Sequence, residues 1–232
     1  MHIFNYLLFL KTNPSQTLFM KKILFVPAFI IFTASLASAQ SSRLGFNAGV
    51  TYANMTIKDI LLVKENGEGK VGVMFGVVYD VPMMNNGSFQ PALNFVQKGT
   101  KEIAIVGDTL NLRLNYIEIP LNVLFKFGHS SGNFMIGGGP AVAFGISGKE
   151  TRISNGTTTN TDISFGDNVG DHYKGIDLGL NVQGGFEFSN GFFIAVNYTH
   201  GVNSLFPDAS PSGQLWNRYF GLRFGYLLGV KK

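Results

Sequence analysis

The sequence predicts an all-β protein whose eight antiparallel strands close into an up-and-down barrel. Three observations carry this prediction. Apolar and polar residues alternate through segment after segment, the two-residue period of a strand whose side chains point to opposite faces. No sustained 3.6-residue apolar pattern follows residue 39. The segments are joined alternately by short turns and by long polar stretches, as consecutive hairpins would be.

The first strand is expected over 43–56, with Leu44, Phe46, Val50 and Tyr52 on one face and Asn47, Gly49 and Thr51 on the other. The second, 70–80, sets Val71, Val73, Phe75, Val77 and Tyr79 against Gly72, Met74, Gly76 and Val78. The third, 88–98, sets Phe89, Leu93 and Phe95 against Gln90, Asn94 and Lys98. The fourth, 110–127, is longer, and its apolar set changes register at Tyr116-Ile117. Leu110, Leu112 and Leu114 precede that point; Ile119, Leu121, Val123 and Phe125 follow it. A β-bulge, which inserts one unpaired residue, is the expected cause.

The fifth strand, 133–147, sets Phe134, Ile136, Val142, Phe144 and Ile146 against Met135, Gly137, Gly139, Ala141 and Gly145. The sixth and seventh form the clearest hairpin, "IDLGLNVQGGFEFSNGFFIAVNYTHG" over 176–201. Ile176, Leu178, Leu180, Val182, Phe186 and Phe188 lead into an Asn190-Gly191 turn, and Phe192, Ile194, Val196 and Tyr198 lead out. The eighth, 217–229, places Phe220, Leu222, Phe224 and Tyr226 opposite Gly221, Arg223 and Gly225.

The short connections are "MMNNG", "GHSSGN" and "SNG"; the long ones run over 57–69, 99–108, 148–174 and 201–216. Their alternation puts every long loop at one end, the asymmetry of outer-membrane barrels. A soluble barrel would need a well-charged exterior, yet the polar set here is Gly, Asn, Gln and Thr, and charged residues are 14% of the chain. As a lumen lining, small polar side chains fit a narrow eight-stranded barrel. Aromatics of the apolar set gather near both strand ends, such as Phe46, Phe125 and Tyr226 at one and Tyr52, Tyr198 and Phe220 at the other. Two such girdles mark membrane interfaces. The apolar face is therefore expected to meet lipid.

Residues 20–39, "MKKILFVPAFIIFTASLASA", read as a signal peptide, with Lys21-Lys22, a short apolar run and an Ala37-Ser38-Ala39 cleavage pattern. Cleavage is expected between Ala39 and Gln40, leaving 40–232 as the barrel, while 1–19 reads as an upstream extension. Removing residues 1–39 takes away Lys11, Lys21 and Lys22 and no acid, leaving 15 basic against 14 acidic side chains. The formal charge falls from +4 to +1, and a nucleic-acid partner loses its support. The absence of cysteine excludes disulfides and thiolate metal sites.

The stretches "LGFNAGVTYANMT", "FQPALNFVQKGT", "LNYIEIPLNVLFKFG", "FMIGGGPAVAFGISGK" and "GFFIAVNYTHGVNSL" resemble the PorT-like outer-membrane β-barrel family of Gram-negative bacteria. The resemblance runs from Leu44 to Gly229 and implies an outer-membrane barrel with both termini periplasmic, embedded in outer-membrane lipid. It also implies a role as an accessory of protein secretion or envelope assembly. "YFGLRFGY", Tyr219–Tyr226, resembles the C-terminal signal read by the barrel-assembly machinery, though the chain runs on past it.

Other chemistry finds little footing. "GGGP" over 137–140 lacks the Lys-Ser/Thr of a phosphate loop, so glycine at tight wall positions is the better account. His129, His172 and His200 have no Ser and carboxylate at recognisable spacing, so no catalytic residue is expected. A lipid-modifying hydrolase or acyltransferase is the alternative reading, and a soluble ligand-binding barrel a weaker one. "GDNVGDH" over 166–172 offers oxygen ligands without EF-hand spacing, and neither metal nor cofactor is expected. The polar register instead predicts a lumen network. It comprises Lys98, Arg113, Lys126 and Arg223 with Glu118, Asp177 and Glu187, among Asn47, Gln90, Asn94, Asn115, Asn122, Asn181, Gln183 and Asn197. Near-balanced charges in a barrel this narrow predict a filled, monomeric barrel, not a diffusion pore.

Overall fold

A computed structural model describes residues 42–58, 64–83, 86–105, 108–154, 156–168, 170–207 and 213–229. The expected extension, signal segment and cleavage site at Ala39-Gln40 lie outside the described residues. The described residues all lie within one compact unit, Ser41–Lys232.

Eight strands form the wall: β1 (Arg43–Lys58), β3 (Lys70–Pro82), β4 (Gly87–Ile105), β5 (Asp108–His129), β6 (Gly132–Ser154), β8 (Ile176–Phe188), β9 (Phe192–Gly201) and β10 (Gln214–Leu227). Each pairs antiparallel with the next, and β10 pairs β1 from Gly45↔Leu227 to Lys58↔Gln214, closing the barrel. Two short strands, β2 (Lys64–Asn66) and β7 (Thr157–Asp162), hang on the long-loop ends of β1 and β6. Closure leaves the wall no unpaired edge, a requirement for backbone in lipid.

Local chemistry sets the short turns. Gly191 takes φ 91°, which a side chain would oppose, and Asn190 Oδ1 accepts the Phe192 N–H at 3.0 Å. In "GGGP", a Cβ on Gly139 would collide with the Leu121 carbonyl oxygen, so glycine there lets β6 approach β5.

The apolar set faces outward. Leu180 is 57% exposed while adjacent Asn181 is 4% exposed, and Phe46, Tyr52, Phe75, Phe125 and Phe220 are likewise exposed. Such a surface would be a liability in water and is the natural one in hydrocarbon.

Strand β5 corrects one expectation. Its even-numbered residues point inward along the whole strand, from Leu110, Leu112 and Leu114 through Tyr116, Glu118, Asn122 and Leu124. No bulge in β5 turns its apolar set; the surroundings change instead. In the lower part, apolar residues face out and the inward set is mostly polar, with Leu124 as an apolar member packed with Met135 and Phe193. Above Tyr116, leucines face in and Asn111 and Arg113 face out. The register shift is real but its extra residue lies in the partner: Asn115 pairs Ser147 while Tyr116 pairs Gly145, so Ile146 is unpaired.

The 99–108 and 148–174 connections are likewise shorter than expected. β4 and β5 continue pairing to Ile105↔Asp108, and β6 continues to Ser154, folding back through β7. The wall therefore rises past the apolar band at the long-loop end.

Candidate functional site: the polar lumen and its cap

Side chains from opposite walls meet inside the barrel in three layers. Nearest the short turns is a four-charge cluster. Asp80 on β3 receives Arg43 Nη2 at 2.8 Å and Lys126 Nζ at 2.7 Å; Glu187 on β8 receives Arg43 Nη1 at 2.6 Å and Lys126 Nζ at 2.9 Å. Each cation bridges both acids. Ser88 Oγ and Gln90 Nε2 donate further hydrogen bonds to Asp80, at 2.9 and 3.2 Å.

An amide layer follows. Asn122 donates to Gln183 at 3.2 Å, Gln183 to Gln90 at 3.2 Å, Asn47 to Asn94 at 3.1 Å, and Asn181 to Thr199 at 2.7 Å. Arg223 donates to Gln183 and makes no ion pair among the described residues. No protein group donates to the Oδ1 atoms of Asn47, Asn122, Asn181 and Asn197, so this layer is the least saturated.

Toward the long loops, Lys98 Nζ lies 2.8 Å from Glu118 Oε2 and 3.0 Å from Asp177 Oδ2. Tyr219 donates to Glu118 Oε1 at 2.5 Å, and Asn217 Nδ2 to Asp177 Oδ2 at 3.0 Å. The ammonium also sits 4.9 Å from the Tyr116 ring centre and 5.4 Å from that of Tyr219, within cation–π range. All three charged groups are at most 4% exposed.

Above this triad the interior becomes apolar. Met55, Leu112, Leu114 and Leu215 from the wall pack with Ile163, Tyr173 and Leu205 from the loops. Backbone bonds fix the loops there: Lys174 N–H donates to the Leu205 carbonyl at 2.7 Å and Leu205 N–H to that of Leu215 at 2.8 Å. Burial in this cap pushes the Tyr173 hydroxyl pKa above its ordinary value, because the phenolate would lose its hydration.

Of the residues expected inside, Lys98, Glu118, Asp177, Asn181, Gln183, Glu187 and Arg223 are buried there, and Lys126 joins them with an 11% exposed side chain. Arg113 does not. It is exposed on the outer face of β5, because that strand keeps its parity; Asn115 shares the outward register. Sequence reasoning missed Arg43 and Asp80. Both were findable: Arg43 shares parity with Asn47, and Asp80 with Gly76, but both sit at strand ends beyond the clear alternation. Tyr116 and Tyr219 were findable by the same parity with Glu118 and Arg223.

The corrected interior sets Arg43, Lys98, Lys126 and Arg223 against Asp80, Glu118, Asp177 and Glu187, a balanced four and four. In the long loops, Ser164 Oγ lies 2.8 Å from His172 Nδ1. The same nitrogen accepts the Ser164 backbone N–H at 3.2 Å, and both side chains are exposed, so the pair closes a turn. Among the described residues no three His, Cys, Asp or Glu side chains group as metal ligands.

A closed antiparallel barrel with an apolar exterior and a polar, charge-paired interior defines an integral β-barrel membrane protein. The chain belongs to the family described as outer membrane protein beta-barrel domain, whose profile matches residues 38–207. No curated protein matches the sequence. The attachment invasion locus protein Ail of Yersinia pestis is a similar solved structure, at 13% identity and TM-score 0.41, covering 82% of this chain and 100% of its own. Neisserial surface protein A follows at 9% identity and TM-score 0.45, covering 81% and 99%. The N-terminal barrel domain of Pseudomonas aeruginosa OprF has 10% identity and TM-score 0.29, covering 78% and 97%.

Proposed function

We propose that this is a non-enzymatic barrel of the bacterial outer membrane, sealed to solutes, whose external extension docks an envelope protein. The observation that carries this reading is the interior itself. Ion pairs and hydrogen bonds cross the lumen between β1, β3, β4, β5, β8 and β10, and an apolar cap lies over them. Conducting water and ions would require breaking buried pairs at a cost of several kcal/mol each.

With the lumen sealed in this reading, the extension of β4 through β7 above the apolar band is the part of the molecule available for recognition. The PorT-like resemblance of "FQPALNFVQKGT" and "LNYIEIPLNVLFKFG" favours an accessory role in protein secretion or envelope assembly. Insertion by the barrel-assembly machinery, through the Tyr219–Tyr226 strand, fits the same reading, as does a monomeric barrel with periplasmic termini.

Planar-bilayer recording of the purified protein tests the sealed lumen. The expected result is a quiet membrane; a stable, large, well-defined conductance from the monomer would refute it. Recovery of an envelope protein with the detergent-extracted barrel, lost when 149–162 is replaced by a short Gly/Ser turn, tests the docking role.

A further inference from the structure

The outer wall of β1, β9 and β10 carries a feature that neither the lumen nor the cap uses. Cross-strand register stacks three rows there. Tyr52, Phe220 and Tyr198 form an aromatic row; Asn54, Arg218 and His200 form the next; Thr56 and Trp216 form the one above. Below the aromatic row the wall is apolar, through Val50, Leu222 and Val196. Two concavities of about 290 and 440 Å³ share Arg218 in their lining, the first floored by Tyr52, Tyr198 and Phe220, the second by Trp216 and His200.

Arg218 is half-buried, yet its partners are neutral. Nε donates to Asn54 Oδ1 at 2.7 Å and Nη2 to Asn66 Oδ1 at 2.9 Å. Among the described residues it makes no ion pair. Two amide oxygens fix the guanidinium's orientation without cancelling its charge. A planar, weakly hydrated cation held this way is suited to a phosphate, which accepts two parallel N–H bonds. His200, exposed beside it and tied to the Tyr198 hydroxyl at 3.1 Å, adds an imidazole to the same row.

Height decides the source of the phosphate. Tyr and Trp collect at the membrane–water interface, and Arg218 lies between the Tyr52–Phe220–Tyr198 row and Trp216. That is the level of lipid headgroups, with hydrocarbon-facing residues directly beneath. The geometry points to a lipid site: an anionic phospholipid of the adjacent leaflet, with no cation in its headgroup to neutralise the phosphate, places that phosphate on Arg218, and its acyl chain descends along Val50, Leu222 and Val196.

The chain's single tryptophan, Trp216, lines this site and reports on it. The barrel is refolded into vesicles mixing phosphatidylglycerol with phosphatidylcholine, with brominated chains on one lipid or the other, and fluorescence quenching is measured. Phosphatidylglycerol is expected to be enriched about fivefold at Trp216, the ratio one basic group near an anionic headgroup supports. Arg218→Gln is expected to bring the ratio to about one, while Arg218→Lys retains part of it. Equal quenching by the two lipids, or a preference that survives Arg218→Gln, overturns the site. Loss of the preference on adding inorganic phosphate, but not chloride at equal ionic strength, would assign the site to a soluble anion and overturn the lipid. Should Arg218→Gln fail to insert, the wild-type protein decides alone. Salt near 1 M, with a screening length of about 3 Å, is expected to weaken the enrichment, and an enrichment indifferent to salt refutes the proposal.

Discussion

Replacing Lys98 by Met removes the one cation shared by Glu118 and Asp177, at nearly constant volume. At an effective dielectric near 20, an opposite charge 2.8 Å away is worth roughly 6 kcal/mol before desolvation is counted. Much of that offsets the loss of hydration by three groups that are each at most 4% exposed. The substitution removes the attraction and leaves both carboxylates dehydrated, so a loss of about 3–5 kcal/mol is expected, the usual result of stripping one partner from a buried pair. Tyr219 and Asn217 still donate to the two acids, which argues for the lower part of that range. Urea titration of the barrel in vesicles, followed by Trp216 fluorescence, measures it. Adding Glu118→Gln and Asp177→Asn to Lys98→Met is expected to recover most of the loss, since no uncompensated charge remains. A loss under about 1 kcal/mol for Lys98→Met would mean the groups are separately hydrated, and the sealed-lumen reasoning would fall with it.

Two more predictions concern the outer surface. Leu180→Arg, on the exposed mid-wall of β8, is expected to cost about 2–4 kcal/mol in the same titration. Thr159→Arg, on exposed β7 above the apolar band, should change stability by less than about 0.5 kcal/mol; equal effects would reverse the assignment of the lipid face. Proteinase K, which cuts with little side-chain preference, is expected on intact cells to cleave within 148–174 and to spare the short turns, whereas cleavage confined to 128–133 would invert the topology.

Period-two alternation made the barrel wall legible, because lipid and a packed lumen demand opposite side chains at successive positions. Asp177 and Glu187 stand in the cleanest alternation of the chain, and their inward placement follows from parity alone. Arg113 shows where that reasoning fails. Polarity identifies the lumen face only where the outside is lipid; above the membrane the same polarity marks the face toward water. A bulge and a change of solvent leave the same trace in one strand, and only the partner strand, where Ile146 is the unpaired residue, separates them. The extensions hid for a related reason. "TTTNTD" of β7, exposed throughout, has no apolar face to betray a strand. The cap was illegible because Ile163 and Tyr173 of one loop and Leu205 of another meet only when both loops close over the mouth.

The inversion of polarity along β5 also fixes how deep the protein sits. A slip of one residue pair along strands tilted about 40° moves the wall vertically by about 5 Å. Sinking by that step would carry Arg113 and Arg218 toward hydrocarbon; rising would lift Tyr52 and Phe220 out of it. Both directions are uphill, so the barrel has one preferred depth and one preferred hydrocarbon thickness. In a bilayer of another thickness it is the surrounding lipid that must stretch or thin to meet the wall.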